Sequence, residues 1–237
     1  MLNLRHLSDL LRAAGPGKAW QAFAIFAGDL GFDRIIRYDL SQDIPTVLTT
    51  FGDDWQRHYQ DRDYSRIDPF FEHCCKPGIP VATGAAYLDD YDYLAPAQRK
   101  LVLEAREAGF NAGFSLVLPD QDTCAWNIGS SLPRSDVEAL RAELARALPL
   151  ALRMVSLHLN PGPALTAREA EVMLLLAAGN RVQEIAHALG LAVVTVDLHL
   201  RNARTKLGGR TRDQALLNFA LGAGGPTAPA PATRRPQ

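Results

Sequence analysis

Apolar residues over 165–221 recur at three- and four-residue intervals, and the breaks between runs fall at glycines. That pattern predicts four short helices. The first opens with Thr166 and Glu169 at capping-box spacing, where the Thr hydroxyl and the Glu carboxylate satisfy N–H groups left unpaired at a helix start. Val172, Met173 and Leu176 then hold one face. Gly179-Asn180 ends the helix, since glycine tolerates the left-handed conformation a C-terminus needs. The second helix carries Ile185, Ala186 and Leu189 and turns at Gly190. The third carries Val196, Leu200, Ala203 and Leu207 and stops at Gly208-Gly209. The fourth carries Ala215, Leu216 and Phe219. A short helix, a tight glycine turn and a helix with a polar outer face is the plan of a helix-turn-helix.

The pattern before residue 160 mixes both periods. Residues 2–14 and 18–31 read as amphipathic helices, the second with Trp20, Phe23, Phe26 and Leu30, separated by Gly15-Pro16-Gly17. Strands are expected over 32–39, 45–51 and 79–83. Residues 113–118 and 124–129 form a further pair about the turn Pro119-Asp120-Gln121-Asp122. Asp53 begins a helix containing Trp55 and Tyr59, and Asp68-Pro69 starts another. Residues 97–108 form a helix stopped by Gly109. Residues 133–159 form a long one, with Val137, Leu140, Leu144, Leu148 and Leu152 inward. Residues 84–95 read as irregular, acidic and tyrosine-rich. The fold class is therefore α+β: an N-terminal α/β/α sandwich, whose layers commonly hold a small-molecule pocket, and a C-terminal four-helix helix-turn-helix domain. The expected boundaries are 1–159 for the first domain, 160–164 for a linker marked by Asn160-Pro161-Gly162-Pro163, and 165–221 for the second. A low-complexity, disordered tail over 222–237 follows.

Composition narrows this little. With 47% hydrophobic and 22% charged residues in 237, the chain has ample material for a core. A net charge of −1 does not imply strong attraction of the whole molecule to nucleic acid. Residues 165–221 hold seven Lys and Arg against five Asp and Glu. Three cysteines, two of them adjacent at Cys74 and Cys75, make no disulfide framework and fit a reducing cytoplasm. Nothing at Met1 resembles a signal peptide, and no run is long and apolar enough to span a bilayer, so no membrane association is expected. Asp89, Asp90 and Asp92 lack the Gly and distal Glu of an EF-hand loop, and His58, His73, Cys74 and Cys75 have no zinc spacing. No nucleophile elbow, P-loop or dinucleotide fingerprint is present. Neither a metal, a cofactor nor an enzymatic activity is expected.

Two clusters carry candidate chemistry. Trp55 and Tyr59 stand at i and i+4, on one helical face, and Asp68-Pro69 follows nine residues later. Two large rings with polar tips can line an apolar cavity and donate hydrogen bonds inward, with Asp68 as an acceptor for an amide N–H. An aromatic core pair, with Asp68 capping the next helix, is the other reading of the same residues, since Asp-Pro is a common helix start. The second cluster is the outer face of the third C-terminal helix: Thr195, Asp197, His199, Arg201, Asn202, Arg204, Thr205 and Lys206. These suit phosphates and base edges in a major groove, or a solvated face of a small bundle.

Read together, LTAREAEVM, EIAHALG, TVDLHLRNARTKLG and TRDQAL resemble the C-terminal DNA-binding domain of the LuxR family. The spacing of Trp55, Tyr59 and Asp68, with Gly113 downstream, resembles the autoinducer-binding domain of that family's quorum-sensing regulators. The resemblance spans roughly residues 5–221. It implies that Trp55 donates to the lactone carbonyl of an acyl-homoserine lactone, that Tyr59 donates to the acyl carbonyl, and that Asp68 accepts the amide N–H. Ser130, with Ser131 beside it, is the nearest match to a Ser or Thr that adds a further bond. Departures fall at Phe51, where Tyr is frequent, and at Thr83, where a Trp usually packs beside the lactone ring. Tyr87, Tyr91 or Tyr93 is expected to fill that space. Ala192 stands at a usual Ser or Thr cap, and Val193 and Val194 stand where polar residues are usual.

The expected function is a ligand-responsive transcription regulator. It takes an acyl-homoserine lactone or a related amide or carbonyl signal, and binds an inverted-repeat double-stranded DNA site as a homodimer. The signal contacts expected are Trp55, Tyr59, Asp68, Ser130, Phe51 and Thr83. The DNA contacts expected are Thr195, Asp197, His199, Arg201, Arg204 and Lys206, with Arg201 and then Asp197 on bases. Two alternatives stand beside it: a regulator of the same build that is ligand-independent or senses a non-lactone signal, and an interaction protein that inhibits a partner regulator by mixed dimerisation.

Overall fold

The computed structural model describes residues 3–15, 17–39, 46–70, 79–118 and 124–223. The helix expected after Pro69, the turn at 119–122, the residues His73, Cys74 and Cys75, and the tail from 224 lie outside them. The chain divides into two compact units, Met1–Arg153 and Met154–Gln237.

The first unit is a five-stranded antiparallel sheet with helices on both faces. Helix α1 (Leu4–Ala14) is capped by Asn3, whose side chain accepts from Arg5 and His6 N–H. Helix α2 (Ala19–Gly28) follows, then β1 (Arg34–Asp39), β2 (Thr46–Thr49) and α3 (Asp53–Asp61). Strand β3 (Val81–Thr83), a 3-10 helix over Ala85–Asp90 where irregular chain was expected, α4 (Pro96–Glu107), β4 (Ala112–Val117) and β5 (Cys124–Ser130) complete the sheet. The strand order is β2-β1-β5-β4-β3. Helix α5 (Arg134–Leu159) begins in this unit.

Both faces of β4 and β5 are covered, and every residue of each is buried. On one face Phe114 and Ile128 meet Phe23, Phe26 and Phe32 and the α5 leucines Leu144 and Leu148. Trp126 stacks on Trp20 at 6.3 Å and takes the edge of Phe23 at 5.5 Å. A buried ion pair, Arg37 with Asp39 at 2.6 Å, sits in the same layer, with the guanidinium 5.7 Å from the Trp126 ring centre. The opposite face carries Ile36 and Asn127 towards α3 and α4. There Gly113 and Gly129 are paired across β4 and β5. A β-carbon on Gly129 would overlap the Phe110 ring, so glycine is what lets that ring lie on the sheet.

The second unit is built from α6 (Ala167–Ala177), α7 (Val182–Leu189), α8 (Val193–Lys206) and α9 (Arg212–Ala220). Its core joins Val172, Met173, Leu176, Ile185, Ala186, Val196, Ala203, Leu207 and Ala215, with Leu189, Leu200, Leu216 and Phe219 packed on it. The capping box forms: Thr166 Oγ1 accepts from Glu169 N–H, and Glu169 Oε2 accepts from Thr166 N–H. Gly190, with φ +64°, makes the turn between α7 and α8. Ala192 caps α8 with no side-chain bond. Among the described residues no helix is long and apolar enough to cross a membrane.

Candidate functional site

Helix α3 has its first-turn acids, Asp53 and Asp54, where the helix dipole favours them, and it presents Trp55 and Tyr59 on the face towards the sheet. Phe51, just before it, is buried. Its ring lies 5.8 Å from Trp55 and 6.3 Å from Phe110, and Trp55 lies 6.3 Å from Tyr59. These rings wall a cavity between the sheet and α4. Asp68, Thr83, Tyr91, Tyr93, Leu101 and Asn127 also line it. Its volume is about 70 Å³. A second hollow of about 270 Å³ lies on the β2 side of Phe51, Trp55 and Tyr59, reaching Tyr38, Val47 and Gln56.

The polar groups of this cavity form a defined set. Tyr59 Oη donates to Asp68 Oδ2 at 2.7 Å, and Phe70 N–H donates to Asp68 Oδ1 at 2.9 Å. Burial pushes the Asp68 pKa above the ordinary carboxylate value, against the pull of those two bonds. Tyr59 is raised by burial and by the Asp68 charge, and it shares a further hydrogen bond with Tyr38. Both phenols are therefore held protonated, and Tyr59 is a donor at any physiological pH. Asn127 Oδ1 accepts from Ser115 Oγ at 3.1 Å, while its Nδ2 makes no hydrogen bond among the described residues. The cavity thus offers a carboxylate acceptor and phenol, indole and amide donors on otherwise apolar walls, an arrangement suited to an amide or ester on an apolar body.

Helix α3 is held to α4 by a cluster behind this wall. His58 Nε2 lies 2.7 Å from Glu104 Oε2, and Tyr64 Oη donates to the same oxygen at 2.5 Å. These bonds hold the Glu104 carboxyl below the usual carboxylate range. The same helix, α4, supplies Leu101, Val102 and Ala105 to the cavity.

Phe51, Trp55, Tyr59, Asp68 and Thr83 are brought together on this one cavity. Ser130 is not. Its hydroxyl is fully buried and donates to Ala112 O at 2.8 Å. It has the parity of Ile128 and Trp126, whereas Ala125, Asn127 and Gly129 face the other way. Asn127 is the polar β5 residue that lines the cavity, and with every residue of β5 buried no alternation in the sequence marked it. Of the three tyrosines expected near Thr83, Tyr91 and Tyr93 are present, and the Tyr91 hydroxyl donates to Ala82 O. Tyr87 is buried elsewhere, under the Arg134 guanidinium at 4.7 Å, and burial raises its pKa to about 12.

On α8, Asp197, Arg201 and Arg204 are exposed and, with Arg212, line one side groove, while Thr195 and His199 are half-buried. Lys206 is not a free cation: its Nζ sits 2.7 Å from Glu169 Oε2, whose residue is 3% exposed. Burial drives the Glu169 pKa up, but the bonds from Lys206 and Thr166 together bring it below its ordinary value. Val194 and Leu198, absent from the expected contacts, stand on the outside of the helix.

Comparison with known proteins agrees along the chain. The autoinducer binding domain family matches residues 16–160, and the family of bacterial regulatory proteins, luxR family, matches residues 163–218. A transcriptional activator protein, SolR of Ralstonia nicotianae, is 29% identical over 81% of this chain and 86% of its own. The transcriptional activator protein VanR of Vibrio anguillarum is 24% identical over 74% and 75%. Among solved structures, the N-acylhomoserine-lactone-dependent LuxR-family factor CepR2 from Burkholderia cenocepacia is 21% identical over 64% of this chain and 93% of that one, with a TM-score of 0.46. The chain belongs to the LuxR family of transcription regulators, with an autoinducer-binding domain ahead of its helix-turn-helix.

Proposed function

We propose that the cavity beside α3 binds an acyl-homoserine lactone or a related amide or carbonyl signal. In this reading the C-terminal helices bind an inverted-repeat DNA site as a homodimer, with occupancy governed by the signal. The convergence of Trp55, Tyr59 and Asp68 on one hollow carries this reading. Asp68 accepts the signal's amide N–H, Tyr59 turns its one proton from Asp68 Oδ2 to the acyl carbonyl, and Trp55 donates to the second carbonyl, with Phe51 and Thr83 completing the walls. Asn127 takes the strand position first given to Ser130. Arg201 and Asp197 contact bases; Thr195, His199 and Arg204 serve phosphates. Domain limits at 159 and 165 are part of the same proposal. The signal shifts DNA occupancy only by its preference for one conformation, or for the folded state. A titration of the full chain with lactones of short, middle and long acyl chain, read by calorimetry and thermal shift, tests the reading. Absence of both heat and stabilisation across the series sinks the lactone assignment.

Thr83, standing beside Tyr91 and Tyr93 where a large ring is frequent, and Phe51 in place of a Tyr favour a second reading in which the signal is a non-lactone carbonyl compound. A mass spectrum of whatever small molecule co-purifies separates the two.

A further inference from the structure

We infer that the outermost line of α8 reads thymine methyl groups in the major groove, through Val194 and Leu198. This rests on the DNA-binding reading above. Val194 is 74% exposed and Leu198 51%, whereas Val196 and Ala203 are both at 0% and define the inward direction. At 100° per residue, Val194, Leu198, Arg201 and Thr205 all fall within about 30° of the direction opposite. Two large apolar side chains, one helical turn apart, thus occupy the part of the helix furthest from its own core. Single exposed apolar residues are ordinary, but a pair at the crest of a helix is placed to meet something.

The surroundings say what. Asp197, Arg201 and Arg204 of α8 and Arg212 of α9 line one groove along the flank of the pair. The centre of a protein–protein contact is depleted of charge. A crest of Val194 and Leu198 that also carries Arg201, flanked by the guanidiniums of Arg204 and Arg212 with one carboxylate, Asp197, instead matches a duplex, with phosphates at the sides and base edges at the crest. In the major groove the apolar group a base pair presents is the thymine C5-methyl; the other edges are donors and acceptors. Val194 and Leu198 have no polar atom to offer those edges. The first turn of α8 holds no acid, and its cap, Ala192, has no polar side chain either. Apolar contact with thymine is therefore the discrimination the crest makes at this end of the helix, with Thr195 half-buried to its side and Arg201 left to reach a base edge such as guanine.

The test uses the full chain, a randomised duplex pool, and selection with and without added acyl-homoserine lactones. The enriched duplex is resynthesised with each thymine replaced singly by deoxyuridine, which removes the methyl alone. At least one replacement per half-site is expected to weaken binding about fourfold, the equivalent of one buried methyl. Val194→Ala and Leu198→Ala should bind the thymine and uracil duplexes alike, while Arg201→Ala weakens both equally and keeps their ratio. Both apolar positions are exposed, and a melting curve matching the wild type confirms that each variant folds. Equal wild-type affinity for the two duplexes overturns the inference, as does a thymine preference that survives both alanine variants. A change of molecular mass in those variants without loss of thymine preference assigns the crest to a protein interface and overturns it too. If the pool yields no enriched duplex under either condition, the DNA-binding reading itself fails and takes this one with it.

Discussion

Asp68→Asn distinguishes a signal-binding cavity from a purely structural one. The native carboxylate accepts from Tyr59 Oη at 2.7 Å and from Phe70 N–H at 2.9 Å. The amide is nearly the same shape. Its oxygen keeps the Phe70 bond, and its Nδ2 donates to the Tyr59 oxygen, whose own proton is then available to Tyr38. Turning one charge-assisted bond into a neutral one costs about 1 kcal/mol, and removing a charge from apolar surroundings offsets part of that. The unliganded variant should therefore lie within about 1 kcal/mol of the wild type, or a few degrees in Tm. Signal binding should respond much more strongly. A carboxylate accepting an amide N–H is worth about 1.5–3 kcal/mol, so affinity should fall roughly 10- to 100-fold. The pH dependence has a definite sign. Asp68 has a folded pKa raised above its ordinary value of 3.8. Its contribution to stability is full below that ordinary value and is lost as pH rises through the folded one. A signal that needs the ionised carboxylate behaves oppositely, binding less well as pH falls through the folded value. Asp68→Asn should flatten both dependences. Urea unfolding and calorimetry with acyl-homoserine lactones, each repeated across a pH series, measure all of this. A variant that binds as tightly as the wild type, or that loses more than about 3 kcal/mol of stability, would show that Asp68 is a structural cap and no recognition element.

Four further outcomes are expected. Glu104→Gln should destabilise the N-terminal unit at neutral pH. Because the Glu104 pKa is depressed from 4.5 in the folded state, its contribution is present above that value and fades as pH falls through the folded one. The urea midpoints of wild type and variant should therefore converge on acidification. Lys206→Ala leaves the buried Glu169 carboxylate with only its Thr166 bonds, and should cost about 1–3 kcal/mol in the thermal stability of the second unit. Arg201→Ala should lower DNA affinity with no change in melting, so the pair of variants separates a structural cation from a DNA-facing one. Ala192→Ser supplies the hydroxyl cap that α8 lacks and should raise stability by about 1 kcal/mol, seen as a higher urea midpoint; an unchanged midpoint would mean the added hydroxyl makes no cap bond.

The second unit was the more legible half of the chain. Its helix starts and stops are local: Thr166 and Glu169 bond each other across three residues, and Gly190 supplies a positive φ where the chain must turn. The spacing of Val172, Met173, Ile185, Val196 and Ala203 then marks a core that all of them share. Helix α3 was legible in the same way, and its i, i+4 rings do share one wall. Strands β4 and β5 were not legible to that depth. Both faces are covered, so no polar alternation marks which side faces the cavity, and a shift of one residue exchanges Ser130 for its neighbours.

Capping chemistry and hydrophobic period are properties of neighbours along the chain, and they suffice to name the helices, the order of the two functional halves, and Trp55 and Tyr59 as a pair. Distances between residues far apart in sequence are set by packing, and these decided the rest. Asp68 meets Tyr59 across nine residues, His58 meets Glu104 across 46, and Lys206 meets Glu169 across 37. Asn127 faces the cavity, and Tyr87 leaves it, because strand register and helix docking turn whole faces at once. The same is true of the apolar crest of α8. Val194 and Leu198 became visible as a pair only when Val196 and Ala203 had fixed which way the helix faces its core.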